Sequence, residues 1–313
     1  MKMQFDDFII ASIQAIEARD PATGGHSLRV ASICGKIARV MGFDSTQIQE
    51  MEYAAILHDF GKIYIDQEIL IKQNKLKEHN LERIDLSLDY LYRYQEFCYA
   101  RLELRLVNTT LSDSIDSSFL LLELHNDRDQ ILASIKQAKN EITKLNKPGG
   151  MFGKEEKEEF ERIVKFINSL KCLDLVERPF LPLRTSDVES LMTGKGTLND
   201  NERLHIQVHV EYSYHILKAL PWPDHLREIP NIAFFHHERL DGSGYPIGAV
   251  SEDISLPSRI LAVADIFDAL TASDRSYKKK MSVDSALKII QAEVDEGKLD
   301  ANVVKVLKEI VVL

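Results

Sequence analysis

The chain has 313 residues, of which 44% are apolar and 28% charged, with a formal net charge of −10. That length supports one large or two modest domains with an ample core. The acidic balance argues against DNA or RNA polymers as partners, and no apolar run approaches the length of a membrane span.

In chain order, residues 4–18 carry Phe5, Phe8, Ile9, Ile13 and Ile16 on one helical stripe. Acidic Asp6 and Asp7 stand where a signal peptide would be basic, so a cytoplasmic protein is expected. Pro21, Gly24 and Gly25 predict a turn. The next helix starts at His26, runs along Val30, Ile33, Ile37 and Val40, and ends at Gly42. Asp44 and Gln47 form a capping box that opens a third helix. This helix delivers His58-Asp59-Phe60-Gly61-Lys62, with Gly61 as its stop. Imidazole nitrogen beside carboxylate oxygen suits iron, manganese or zinc, and a carboxylate can bridge two ions. Lys62 reads either as a cation at a helix C-terminus or as a phosphate contact. Cys34, Cys98 and Cys172 are scattered and lack CxxC spacing, as reduced thiols would.

The middle of the chain has a different texture. Leu81 to Val107 and Phe119 to Leu145 are rich in Leu, Glu, Lys and Arg at helical spacing. Pro148-Gly149-Gly150 breaks the pattern, Lys154 to Leu170 resumes it, and Leu173 to Ser190 reads as irregular. Beyond this, a helix carries His205, His209 and His215, and a shorter one ends in His236-His237. The loop Asp241-Gly242-Ser243-Gly244-Tyr245-Pro246 follows, and its glycines let backbone approach a ligand closely. Pro257 to Ser273 predicts a helix in which Asp265 is a carboxylate among apolar residues, so it needs a partner or a metal. Two further helices close the chain, giving an all-α fold.

His58-Asp59, His236-His237, Gly244-Tyr245-Pro246 and the Asp265 helix, in this order, resemble the HD-GYP family of helical HD-type metal-dependent phosphohydrolases. The resemblance covers residues 1–75 and 196–313. Its junction is split between Asn74-Lys75-Leu76 and Gly194 to Glu202, which implies a helical insertion over 76–195. Such a unit reads either as a decorative hairpin or as an arm for a homodimer or protein partner.

The resemblance implies that His26, His58, Asp59, His209, His236, His237 and Asp265 hold metal, with Asp59 as the bridge. His205 and His215 are expected to be non-ligands, and Ser213 stands where the family usually has glycine. Some members place a glutamate four residues before the first histidine to help hold a third metal. Ala22 occupies that position here, so two divalent ions are expected, iron or manganese. Such a pair lies roughly 3.5–4 Å apart and lowers the pKa of a shared water. Asp59 and Lys62 are the expected catalytic residues. Lys62, Gly244, Tyr245, Asp268, Arg275 and Lys278 are the expected substrate contacts, with Glu238 and Asp241 orienting the loop. The implied activity is hydrolysis of cyclic di-GMP to pGpG or GMP. Two alternatives stand beside it: a low-turnover cyclic-dinucleotide sensor acting through protein contacts, and a hydrolase of another cyclic dinucleotide.

Overall fold

The computed structural model describes residues 7, 9, 11, 12, 14, 25–113, 118–148, 153–170, 180–194, 196–272 and 281–312. Of the N-terminal stripe, Ile9 is described and buried; Phe5, Phe8, Ile13 and Ile16 lie outside the described residues, as does Ala22. The described chain is helical, and its one β-type pairing is a bridge between Asp241 and Val250. By its internal packing it divides into two compact units, Met1–Ile71 with Asn201–Leu313, and Lys72–Asp200.

In the first unit, α1 (His26–Val40) and α2 (Ser45–Leu57) form a tight hairpin. Gly42 takes φ +84°, a left-handed turn that costs other residues, and the Phe43 N–H reaches back to the Ala38 carbonyl. Asp44 then caps α2 by accepting from the N–H groups of Thr46 and Gln47, while Gln47 Oε1 accepts from Asp44 N–H. A 3-10 turn, Phe60–Tyr64, and α3 (Gln67–Leu70) follow. After the second unit come α8 (Asp200–Gln207), α9 (His209–Lys218), α10 (Ile229–Phe234), α11 (Leu256–Thr271), α12 (Val283–Asp295) and α13 (Ala301–Val312). Their apolar faces enclose one core that includes Cys34, Ile37, Met51, Leu57, Val263 and Ile290. The single helix expected around His205 and His209 is broken at Val208 into α8 and α9.

The second unit has its own core, built from α4 (Glu78–Asp113), α5 (Ser118–Leu145), α6 (Lys154–Ser169) and α7 (Thr185–Leu191). The helix α7 corrects the irregular reading of Leu173 to Ser190. Pro179 and Pro182 both precede it, and Asp187 caps it by accepting from the Arg184 N–H. The unit also starts and ends a few residues outside 76–195. Lys75 N–H donates to the Asn146 carbonyl, Lys75 Nζ to the Leu191 carbonyl, and Thr197 Oγ1 to the Lys72 carbonyl. These bonds tie both flanks into the second unit. No helix among the described residues is long and apolar enough to cross a membrane.

Since the Asp44 box satisfies orphan N–H groups of the helix that leads to His58, Asp44→Ala is expected to destabilise the first unit by about 1 kcal/mol. Urea unfolding followed by circular dichroism checks this, and an unchanged midpoint would show the cap to be idle.

Candidate metal centre

Three histidines are held by one device. His58 follows the end of α2, His209 follows the end of α8, and His236 follows the end of α10. The last carbonyls of a helix have no intrahelical donor. In each case the imidazole supplies one: Nδ1 lies 2.7 Å from Ala55 O for His58, 2.6 Å from Ile206 O for His209 and 2.6 Å from Ala233 O for His236. A carbonyl only accepts, so Nδ1 carries the proton and Nε2 keeps its lone pair. All three rings are buried and converge: His58 and His236 have centroids 4.8 Å apart, and His209 and His236 5.6 Å.

His26 is held differently. Its Nδ1 lies 2.7 Å from Asp268 Oδ2, and its Nε2 points to Asp265 Oδ1 at 3.3 Å. Asp268 is in turn gripped by Arg29, through Nε to Oδ1 at 2.8 Å and Nη2 to Oδ2 at 3.1 Å. Asp268 was expected among the substrate contacts. Both of its oxygens are instead committed to His26 and Arg29, which makes it a positioning carboxylate behind the imidazole.

Asp59 sits between the rings. Its Oδ2 faces Lys62 Nζ at 2.7 Å and His58 Nε2 at 3.5 Å, while its Oδ1 lies 3.1 Å from His209 Nε2. The geometry at His209 makes no directed hydrogen bond. Among the described residues, His209 Nε2 and His236 Nε2 are buried nitrogens without a hydrogen-bond partner. Leaving such atoms unsatisfied is costly in a core, so this arrangement points to a cation. Three groupings place nitrogen and oxygen donors within 4.8 Å of one another: His209-His236-His237, His26-His58-Asp265 and His58-Asp59-His236. All seven expected ligands are therefore brought together, and the donor set of imidazoles and carboxylates fits a divalent ion. His205 and His215 are exposed and outside the cluster.

The electrostatics agree. Burial opposes charge on Asp59, but the Lys62 ammonium against it outweighs this and holds the carboxyl well below its usual range. Burial also opposes charge on the partly exposed Asp265, but His26 chiefly depresses it. Burial pushes His58 and His236 down, and His237 down to about 3. His26 is the exception: burial works against its charge, yet Asp265 and Asp268 raise it to about 9. Ionised carboxylates beside neutral His58, His236 and His237 are the protonation states that a metal needs, whereas His26 would have to release its Nε2 proton on binding one.

The loop after His237 is stapled from beneath. Buried Glu238 accepts from Ile247 and Gly248 N–H on Oε1 and from Ala249 N–H on Oε2. Exposed Asp241 accepts from Ser243 N–H and Oγ. Tyr245 lays its ring 4.7 Å from that of His237, at the edge of the cluster. Gly244, expected near substrate, is needed for another reason: a Cβ there would lie 2.4 Å from Glu238 Cα. Gly61 was expected to stop the helix, but α2 ends at Leu57 and Gly61 lies inside the 3-10 turn; it is needed for close approach, because a Cβ on it would lie 2.0 Å from the His209 carbonyl oxygen. Its N–H donates to Ser213 Oγ at 2.7 Å, so the residue that departs from the family's glycine is the partner of this contact. Arg29 and Ser213 were not selected from sequence as site-supporting residues. Their partners lie 239 and 152 residues away in the chain, beyond the reach of any local signal. Arg275 and Lys278 lie outside the described residues.

Two HD-domain family models match the chain, over residues 23–170 and 186–303. The chain is an HD-domain protein of the HD-GYP type. It is 42% identical over 119 residues to the 3′3′-cGAMP-specific phosphodiesterase 1 of Vibrio cholerae, covering 38% of this chain and 27% of that relative. A cyclic di-GMP phosphodiesterase response regulator of Xanthomonas campestris is 39% identical over 105 residues, 34% of this chain and 27% of the relative. A cyclic di-GMP phosphodiesterase of Pseudomonas aeruginosa is 47% identical over 60 residues, 19% of this chain and 14% of the relative. This HD-GYP-type chain thus spans under a third of the length of these curated relatives.

Replacing the carboxylate behind a metal-binding imidazole weakens metal affinity by about 10–100-fold. Asp268→Asn is expected to show a loss of that size in a chelator competition titration, with helicity retained. Undiminished affinity would mean that His26 needs no positioning.

Proposed function

We propose that this chain is a metal-dependent phosphodiesterase that hydrolyses a cyclic dinucleotide, with cyclic di-GMP as substrate and pGpG or GMP as product. The observation that carries the reading is the pair of buried, unpartnered Nε2 atoms of His209 and His236 beside two ionised carboxylates. Two divalent ions, iron or manganese, would be held by His26, His58, Asp59, His209, His236, His237 and Asp265. When bound, such a pair activates a water and neutralises phosphodiester charge.

The chain's own residues do the rest. Asp59 presents one oxygen toward His58 and the other toward His209, the placement a bridging carboxylate requires. Carbonyl anchors at Ala55, Ile206 and Ala233 fix three imidazoles in one tautomer, so the donors need little reorganisation. Lys62 brings an ammonium against Asp59, where it can meet a phosphate oxygen and hold a proton for the leaving oxygen. Tyr245, held over His237, offers a ring face to a nucleobase. Arg275 and Lys278 remain proposed phosphate contacts. The second unit is proposed as an insertion that serves a protein contact rather than the chemistry, and the chain is proposed to act in the cytoplasm.

The mixed guanine-adenine cyclic dinucleotide is the second reading. It is favoured by the 42% identity to a relative named for 3′3′-cGAMP. An anaerobic assay with Fe(II) or Mn(II), run against both dinucleotides with products separated by chromatography, decides between them. Turnover of neither, despite bound metal, would leave the sensor reading in place. Asp59→Ala is expected to abolish metal binding and activity together. Lys62→Ala is expected to keep the metal and lose about 100-fold in kcat. An Asp59→Ala variant that still turns over would remove the bridge.

A further inference from the structure

The helix α4 carries two apolar seams on opposite faces. The inward one, Ile84, Leu88 and Leu91, is buried in the second unit's core. The outward one runs Leu86, Tyr90, Arg93, Phe97, Ala100 and Leu104, alternating steps of four and three residues. That is a heptad seam, the spacing at which two helices pack side by side. Leu86, Phe97 and Leu104 are 69%, 58% and 62% exposed, far more than apolar residues of that size need be on a monomer's helix. A helix meant only to cover one core needs a single stripe.

The charges that flank the seam identify its occupant. Just before each of Tyr90, Phe97 and Leu104 stands an acid: Asp89, Glu96 and Glu103. On the other flank stand Ser87, Tyr94 and Arg101. Asp89 and Glu103 already meet Lys139 and His125 of α5, at 2.8 Å and 3.2 Å, which leaves Glu96 as the acid facing a partner; antiparallel pairing would set the Glu96 flanks of the two copies on the same side. Pairing them parallel and in register sets Glu96 of each copy against Arg101 of the other, five residues on, the spacing of attractive flanking pairs in parallel coiled coils. Within one chain Glu96 already accepts from Arg93 at 2.8 Å, and Arg101 lies over the Phe97 ring at 5.6 Å, so both groups stand beside the seam. Arg93 would put a polar layer into the seam; a polar residue at such a position costs stability and specifies register.

We propose that this face of α4 binds a second copy of the chain as a parallel, in-register two-helix coiled coil, with reciprocal Glu96–Arg101 pairs. This deepens the proposed role of the second unit and does not rest on the phosphodiesterase activity. A loss of dimer with activity retained, or the reverse, separates the two readings.

Sedimentation equilibrium of the full chain over a concentration series is the test. A dimer is expected, and Phe97→Glu with Leu104→Glu is expected to yield a monomer of unchanged helicity and metal content. Glu96→Lys and Arg101→Glu are each expected to raise the dimer Kd about tenfold, and the double exchange to restore it. A wild-type monomer up to about 100 µM overturns the proposal. A dimer indifferent to the Phe97 and Leu104 changes also overturns it, and so do charge exchanges without effect, which would refute the parallel register. If the seam variants prove misfolded, the exchanges at the exposed flanks carry the decision alone.

Discussion

The first unit depends on how closely Gly61 approaches the backbone of α9. The turn that presents His58 and Asp59 rests directly on the residues that present His209, with no room for a side chain between them. The Gly61 N–H to Ser213 Oγ bond closes this contact and satisfies a buried donor. Any residue larger than glycine would push the turn away from α9, and Asp59 would lose its place between His58 and His209. One missing Cβ therefore sets the separation of donors that precede and follow the second unit in the sequence.

The histidines show how a helical scaffold makes rigid donors cheaply. Three of them sit just past helix ends and satisfy carbonyls that would otherwise lack partners. The same bond fixes the tautomer and aims Nε2 inward. His26, at the start of its helix, has no such carbonyl and relies on Asp268, itself gripped by Arg29. The two modes differ electrostatically. Carbonyl-anchored His58 and His236 are pushed down by burial, whereas carboxylate-anchored His26 is raised. His26 also faces Asp265, so its two nitrogens both meet acids.

The second unit folds around an ordinary helical core, and one of its helices does more than that core requires. In α4 the inward stripe satisfies the unit's own packing, while on the opposite face Leu86, Phe97 and Leu104 stand exposed. Hydrophobic periodicity is costly to maintain on an exposed surface, because it invites association. The acids and the arginine beside the outward stripe limit which associations are favourable.

The sequence alone determined the helical fold and the break in texture near the second unit, because helical periodicity reports which face is buried. The seven residues proposed as the donor set were legible through the family resemblance, since an imidazole or carboxylate by itself does not say whether it meets a metal or a hydrogen-bond partner. Only the tertiary structure decided what those residues touch. It placed Asp268, readable from sequence as a support for the site or as a substrate contact, against His26, and gave Gly61, Gly244 and Ser213 their reasons through contacts with distant or folded-back backbone. It broke the His205–His215 helix at Val208 and made a helix of Thr185–Leu191 behind two prolines. A stripe of burial says that a face is covered and leaves open by what. Partners more than a hundred residues apart are chosen when the chain closes on itself, because only then do their atoms compete for the same space and the same hydrogen bonds.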